Sequence, residues 1–180
     1  MNIRILDAAD VAAFQSLRLA GLQECPQAFS SSFEEEKDLS HADIAGRLLP
    51  GAGHCVFGAF RQFQLVGILG FQCEGRRKLA HKAFIWGMYV APGHRRTGIG
   101  GGLLAAALDH ADSLPAIRLV NIAVNRSNSA AVALYRGVGF SEYGVEPDAL
   151  CVNGSYYDEI QLVRFSRRGS GSSSPNGAGT

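Results

Sequence analysis

The stretch MYVAPGHRRTGIGGGLL, residues 88–104, predicts a strand, a tight loop and a helix that follow one another directly. The first N–H groups of a helix have no partner within it and lie at the positive end of its dipole. Gly98 and Gly100 carry no side chain that would keep an anion from the backbone, and Arg95 and Arg96 add positive charge. We therefore expect this loop to bind a phosphate or diphosphate group.

Three phosphate-binding patterns compete for the loop. The P-loop pattern aligns with Gly93 and Gly98 but requires a lysine where an isoleucine follows Gly98. The dinucleotide pattern aligns with Gly98 and Gly100 but meets a leucine at its third glycine, and it lacks the acidic residue expected about twenty positions later. A third pattern, Gln or Arg followed by two residues, Gly, one residue and then Gly or Ala, is satisfied throughout by residues 95–100.

A second motif, NRSNSAAVALYRGVGF, follows at residues 125–140. It fits the pattern N-x-x-A-x-x-L-Y-x-x-x-G-F at Asn128, Ala131, Leu134, Tyr135, Gly139 and Phe140. At this spacing the two motifs together resemble those of the GCN5-related N-acetyltransferase (GNAT) superfamily, bacterial type. The resemblance extends from about Ile3 to Arg164, and its specific part lies between Val90 and Phe140.

The resemblance implies an α/β (α+β) GNAT fold, with a mixed, mostly antiparallel central sheet of six to seven strands, a splayed parallel pair and about four flanking helices. The chain's own pattern agrees with this fold. Apolar patterning predicts strands at 55–60, 65–73, 83–90, 117–124, 140–143 and 156–165, and helices at 99–111 and 130–138. The resemblance places the splayed pair at Trp86 to Val90 and Val120 to Val124.

The resemblance also implies that acetyl-CoA is the co-substrate and that its pantetheine arm lies between the splayed strands. The implied cofactor-binding residues are Met88, Val90, Arg95, Arg96, Thr97, Gly98, Ile99, Gly100, Asn128 and Tyr135. Tyr135 is the implied catalytic acid that protonates the departing sulfur, and the other interpretation is that it packs on the buried face of a helix. Asn128 either bonds the pantetheine arm or caps the helix, and the two roles are compatible.

The base that removes the amine proton is not evident from the sequence. Many members of the family carry a glutamate on the strand before the phosphate loop, but residues 75–108 contain no carboxylate. His81, Glu159 or a water relayed through backbone carbonyls remain as alternatives. Without a strong base a weakly basic amine is the easier acceptor, because deprotonation at pH 7 costs about 1.4 kcal/mol for an α-amino group and about 4.6 kcal/mol for a lysine-like amine.

The resemblance places the acceptor beside two segments, at residues 29–34 and 156–159. The candidate acceptor-side residues there are Phe29, Glu34, Tyr157 and Glu159. Acidic groups suit a cationic amine, although a solvated surface is the alternative role for these acids.

The predicted function is transfer of the acetyl group to a primary amine of a small molecule or of a protein or peptide N-terminus, by direct attack in a ternary complex. The alternative function is a non-catalytic module that binds or senses acyl-CoA, supported only by the missing strand carboxylate.

The amino-acid composition indicates the size of the domain and the class of its partners. With 180 residues, of which 47% are hydrophobic, the chain has the size of one domain with a sizeable core. We expect residues 1–165 to form the N-acetyltransferase domain and the Ser/Gly-rich residues 166–180 to be a flexible tail. The net charge of +1 gives no field that would attract nucleic acid or an anionic membrane, so a small-molecule partner is expected.

Further features concern metal, location and assembly. The four cysteines lack zinc-ligand spacing, so the sequence predicts neither a metal site nor a disulfide. The N-terminus lacks the apolar stretch of a signal peptide, and no apolar run reaches the roughly 18 to 20 residues that cross a bilayer, which favours a cytoplasmic protein. Many relatives are dimers, so the resemblance allows a homodimer.

Overall fold

In the computed structural model, which describes residues 1–51 and 53–167, seven strands form one mixed sheet. The strands are β1 (Asn2–Ile5), β2 (His54–Arg61), β3 (Gln64–Cys73), β4 (Lys82–Val90), β5 (Leu119–Asn125), β6 (Ser141–Val152) and β7 (Ser155–Phe165). Their order across the sheet is β1-β2-β3-β4-β5-β7-β6, and only β4 and β5 pair in parallel. This arrangement confirms the fold class expected from the sequence.

Helices cover both faces of the sheet. The described residues form α1 (Val11–Glu24), α2 (Phe33–Glu36), α3 (His41–Leu48), α4 (Ile99–Ser113) and α5 (Ser129–Gly137). One buried core joins α4 and α5 to the sheet through residues such as Leu104 and Phe71, and another joins α1 and α3 to the opposite face through residues such as Phe14 and Ile68. Because α2 is a single turn, four longer helices flank the sheet, as expected.

The parallel pair separates partway along its length. β4 and β5 are in register only from Lys82 opposite Leu119 to Phe84 opposite Asn121. Beyond that point β4 carries a bulge against β3, where Gly87 adopts a positive φ of 63°. A bulge bends its strand and increases the local twist, so the remainder of β4 turns away from β5. The resulting gap lies where the splayed pair was expected.

The last two strands form the predicted closing hairpin. Asn153 and Gly154 at its turn have positive φ values of 51° and 78°, as a type I′ turn requires. The predicted strand at 140–143 is too short, because β6 extends from Ser141 to Val152. Two register shifts against β7 and a positive φ of 52° at Asp148 interrupt the alternation that identifies a strand in a sequence.

The end of the described part of the chain is held by Asp112 on α4. The Ser166 hydroxyl is buried and donates to an Asp112 carboxylate oxygen at 2.8 Å, and the Arg167 N–H donates to the same oxygen at 3.2 Å. Of the predicted tail, residues 168–180 lie outside the described residues. Among residues 1–51 and 53–167, none of the helices combines the length and the hydropathy that a membrane span requires.

Candidate active site

A cavity of about 450 Å³ fills the gap between the separated ends of β4 and β5. It is lined by the ends of both strands, by the first turns of α5 and by the segment before Phe29. Five of the predicted cofactor-binding residues line it together, namely Met88, Val90, Arg95, Asn128 and Tyr135. The two sequence motifs, about thirty residues apart along the chain, therefore meet at one cavity.

The predicted phosphate loop forms a tight turn next to this cavity, between Arg95 and the start of α4. Arg96 and Gly98 have positive φ values of 62° and 84°, and Gly98 is the N-cap of α4. The first helical hydrogen bond runs from the Gly102 N–H to the Gly98 carbonyl at 3.0 Å. Within the described part of the chain, the main-chain N–H groups of residues 96–101 have no hydrogen-bond partner. Such a row of free N–H groups at a helix N-terminus fits an anion.

The surroundings of Gly98 leave space for that anion, whereas a Cβ atom on Gly100 would lie only 2.9 Å from the Met88 methyl carbon. A Cβ atom on Gly98 would have no heavy atom within 4 Å. The Thr97 hydroxyl donates to the His94 carbonyl at 2.7 Å, and this hydrogen bond stabilises the turn. Ile99 contributes only backbone here, because its side chain is buried in the core under α4.

Arg95 makes a contact that the sequence did not indicate. Its guanidinium bonds both carboxylate oxygens of Glu24 at 2.7 and 3.0 Å, and its Nε donates to the Val90 carbonyl at 2.8 Å. The Tyr89 hydroxyl donates to Glu24 at 2.5 Å, and hydrogen bonds from Arg95 and Tyr89 lower the pKa of that carboxyl. The charge of Arg95 is thus largely compensated, and the side chain ties α1 to the end of β4. Arg96 is exposed beside the turn.

Tyr135 is buried at the bottom of the cavity. Among residues 1–51 and 53–167, its hydroxyl has one polar contact, to the Met88 sulfur at 3.6 Å, and its ring packs edge-on against Phe140. Burial raises the pKa of the phenol, so it keeps its proton at neutral pH. A protonated hydroxyl with only a weak sulfur acceptor beside it is suited to donate to a sulfur atom.

Two asparagines shape the β5 side of the cavity. Asn128 is exposed and caps α5, since its Oδ1 accepts the Ala131 N–H at 3.1 Å, which agrees with its predicted capping role. Asn125 is buried and was not singled out from the sequence. Its Nδ2 donates to the Gln27 carbonyl at 2.9 Å, while its Oδ1 accepts both the N–H and the hydroxyl of Ser127. Asn125 therefore holds the segment after α1 against the end of β5.

A second cavity, of about 520 Å³, adjoins the first. Both are lined by Phe29, Trp86, Gly87 and Ala123, so they meet where the strands begin to separate. Glu159 lines the second cavity, and burial together with the charge of Glu146 raises the pKa of its carboxyl.

The other candidates on the acceptor side, Phe29, Glu34 and Tyr157, lie in different parts of the structure. Phe29 and Glu34 line a third cavity, of about 680 Å³, under the β6–β7 turn. Tyr157 lies opposite Leu150 in the hairpin and does not line any of these three cavities as the described residues form them. His81 precedes β4 at the end where β4 still pairs with β5, far along the strand from Met88.

The second cavity also borders a buried ion pair. Arg18 and Glu36 are 4% and 3% exposed, and the Arg18 guanidinium donates to both Glu36 oxygens at 2.8 and 3.2 Å. Arg47 adds a bond to Glu36 at 2.8 Å. Burial alone would raise the pKa of the Glu36 carboxyl, but the hydrogen bonds and charge of Arg18, with further hydrogen bonds from Ser31 and Arg47, lower it to about 2.

The sequence contained a signal for this pair. Phe14, Arg18 and Leu22 are spaced four residues apart on α1, so that Arg18 occupies a position on the buried face of the helix. A charged residue at such a position requires a partner inside the protein. The partner, Glu36, lies 18 residues away beyond an irregular loop, and local patterns do not identify it.

Comparison with known proteins finds a matching family model and similar solved structures. The model of the acetyltransferase (GNAT) family matches residues 20–140. An acetyltransferase of the GNAT family from Streptococcus pneumoniae superimposes with a TM-score of 0.81 at 19% identity, covering 92% of this chain and 98% of that one. A GNAT superfamily phosphinothricin acetyltransferase from Sinorhizobium meliloti, solved in complex with acetyl-CoA, gives a TM-score of 0.79 at 20% identity over 98% of this chain and 94% of that one.

A match to a curated sequence is more limited in extent. An uncharacterized protein of Mycobacterium leprae is 30% identical over 132 residues, which are 73% of this chain and 35% of that protein. The matched part of this chain thus spans about a third of the length of that curated relative.

Proposed function

The chain belongs to the acetyltransferase (GNAT) family, and on that premise we propose that it transfers the acetyl group of acetyl-CoA to a primary amine, by direct attack in a ternary complex. The acceptor is a small molecule or a protein or peptide N-terminus. The observation that carries the proposal is the row of N–H groups at residues 96–101 that have no partner among the described residues, next to a cavity between two separated strands.

The residues present fit acetyl-CoA in three respects. The free N–H groups and the open space above Gly98 suit a diphosphate. The facing edges of β4 and β5 beyond Phe84 and Asn121 are not paired with each other, so their main-chain groups can bond an extended amide chain as an added strand would. The cavity between those edges leads to the Tyr135 hydroxyl, where the thioester sulfur is expected.

Two side chains act on protons in the proposed reaction. Glu159 accepts a proton from the acceptor ammonium, because its raised pKa makes it a stronger base than an ordinary carboxylate. The neutral amine then attacks the thioester carbonyl, so that a C–N bond forms and the C–S bond breaks. The nitrogen releases its second proton to solvent as the amide forms, and Glu159 returns the first proton to solvent. Tyr135 gives its proton to the departing sulfur and is reprotonated from solvent. Of the two side-chain bases considered from the sequence, Glu159 is the one that lines a cavity at the separation of the strands.

Calorimetry with acetyl-CoA, NAD and ATP tests the first part of the proposal. We expect binding of acetyl-CoA alone among the three, and binding of NAD or ATP without acetyl-CoA would overturn the assignment. Thiol release measured with a panel of amines tests the second part. Binding of acetyl-CoA without thiol release from any amine would favour the non-catalytic acyl-CoA-binding module instead.

A further inference from the structure

We propose that the second cavity selects an acceptor that carries an anionic group close to its amine, as an amino acid does. This inference rests on the proposed acetyl transfer and specifies its substrate class. It concerns the side of the site where Arg18, Arg47 and Glu159 line one cavity.

The first observation is an unsatisfied donor on Arg18. Its Nε and Nη2 are used by Glu36, and Nη2 also donates to the Ser31 hydroxyl at 3.0 Å. Its Nη1 has no hydrogen-bond partner among the described residues, although the side chain is only 4% exposed. A buried guanidinium N–H without an acceptor is costly, and such a group in a native protein requires an explanation, of which an acceptor oxygen supplied by a ligand is one.

The unsatisfied atom is buried next to Gly87, at the wall of the site. Arg18 Nη1 lies 3.3 Å from the position that a Cβ atom on Gly87 would occupy, and Gly87 lines both cavities. The guanidinium is held in this direction from two sides, by the Glu36 carboxylate and by the Phe29 ring, whose centroid is 4.7 Å from Arg18 Cζ. The donor is therefore fixed in place before any ligand arrives, which lowers the entropic cost of binding.

The second observation is the charge balance around the cavity. Two guanidinium groups, of Arg18 and Arg47, face the single carboxylate of Glu36, so this cluster has an excess of one positive charge. Arg47 uses one nitrogen for Glu36, its side chain is 29% exposed, and its remaining donors have no partner in the part of the chain that the structure describes. An arginine fork of this kind is suited to bind a carboxylate or a similar oxyanion.

Glu159 supplies the opposite charge in the same cavity. A molecule with an ammonium and an anionic group can thus bond the carboxylate and a guanidinium together, and both charges of the cavity are then compensated. The cavity volume of about 520 Å³ is in the range of small-molecule sites, about 300 to 1,000 Å³. A protein N-terminus presents an uncharged amide at this position and leaves the arginines without an anion.

The test compares L-amino acids with their carboxamides in the full chain, by thiol release at fixed acetyl-CoA and pH 7. Each pair differs only in the anionic group, and the carboxamide also stands for a peptide N-terminus. The carboxylate keeps more of the amine protonated, so unassisted chemistry favours the carboxamide. We expect kcat/KM for at least one amino acid to exceed that of its carboxamide at least about tenfold.

The variant Arg47→Gln separates recognition from stability. It should lower the ratio of kcat/KM for the amino acid to kcat/KM for its carboxamide at least about tenfold, whereas Arg47→Lys should restore part of the preference. Arg77→Gln is the matched control, because Arg77 is exposed in the loop before β4. Partial unfolding of a variant lowers both rates together and leaves their ratio unchanged, so the ratio reports on the anion alone.

Two results would overturn the inference. The first is a kcat/KM for carboxamides or anion-free amines that equals that for the amino acids. The second is an Arg47→Gln variant in which kcat/KM for the amino acid and for its carboxamide falls by the same factor. In either case acetyl transfer itself would stand. Absence of acetyl-CoA binding in calorimetry would instead contradict the proposed function, so the failure of the inference and the failure of the proposed function are distinguishable.

Discussion

Replacing Glu36 with glutamine should destabilise the protein in a pH-dependent manner. The Glu36 carboxyl is buried between Arg18 and Arg47, and its pKa is lowered from 4.5 to about 2. A shift of that size corresponds to about 3 kcal/mol of stability at neutral pH. Glutamine keeps the shape but leaves two guanidinium groups facing a neutral side chain, so we expect a loss of at least this amount at pH 7.

The sign of the pH dependence follows from the lowered pKa. The unfolded chain takes up a proton at Glu36 once the pH falls below about 4.5, while the folded chain stays ionised until about pH 2. The stabilising effect is therefore complete above pH 4.5 and is lost progressively below it. Between pH 7 and pH 3 the difference in free energy of unfolding between wild type and Glu36→Gln should shrink by about 2 kcal/mol.

Urea unfolding of both proteins from pH 7 to pH 3 measures this difference. Other carboxylates titrate equally in both chains, so their contribution cancels. Glu34→Gln is the control, because Glu34 is exposed on the same short helix and its removal should change stability by at most about 0.5 kcal/mol at any pH. A Glu36→Gln protein as stable as wild type at pH 7, or a difference that is constant with pH, would refute the reasoning.

Two further predictions concern the cofactor side. Gly98→Glu places a carboxylate in the space next to the free N–H groups and should abolish acetyl-CoA binding in calorimetry. Gly46→Glu, at an open position on α3, is the control and should leave binding intact. Retained affinity in Gly98→Glu would contradict the phosphate-loop assignment. Tyr135→Phe keeps the buried ring and should lower turnover at least about tenfold with little change in acetyl-CoA affinity, while Tyr143→Phe at an exposed position should have no effect; unaltered turnover in Tyr135→Phe would remove the phenol from the mechanism.

The parts of the fold that the sequence predicted well are those encoded over short distances. The glycine loop with the start of α4, and the helix that carries Tyr135, are each specified within about fifteen residues by periodicity and turn chemistry. The sheet order follows from the same elements, since hairpin strands pair with neighbours and a strand-helix-strand unit requires a parallel pair. β6 was underestimated because its bulges break the alternation on which strand prediction depends.

The contacts that the sequence did not predict join residues far apart along the chain. Arg95 appeared to be a free cation for a phosphate, but it bonds Glu24, 71 residues earlier. A motif identifies which residue type stands at a position and leaves open which distant group will compensate its charge. The same applies to Arg18, whose place on the apolar face of α1 indicated a buried partner without identifying Glu36.

Gly87 connects the two halves of the proposed site. Its positive φ of 63° lies in the bulge of β4, just beyond the last residues at which β4 and β5 pair, and the separation that follows opens the cavity proposed for the cofactor. Its missing side chain also leaves room for Arg18 Nη1, because a Cβ there would lie 3.3 Å from that atom. One backbone feature thus contributes to the gap proposed for the thioester and leaves room for the buried guanidinium beside the proposed acceptor cavity. Under the proposed recognition, an acceptor anion near Arg18 would lie beside the same glycine that borders the proposed cofactor cavity, so that recognition of the acceptor and positioning of its amine would both depend on Gly87.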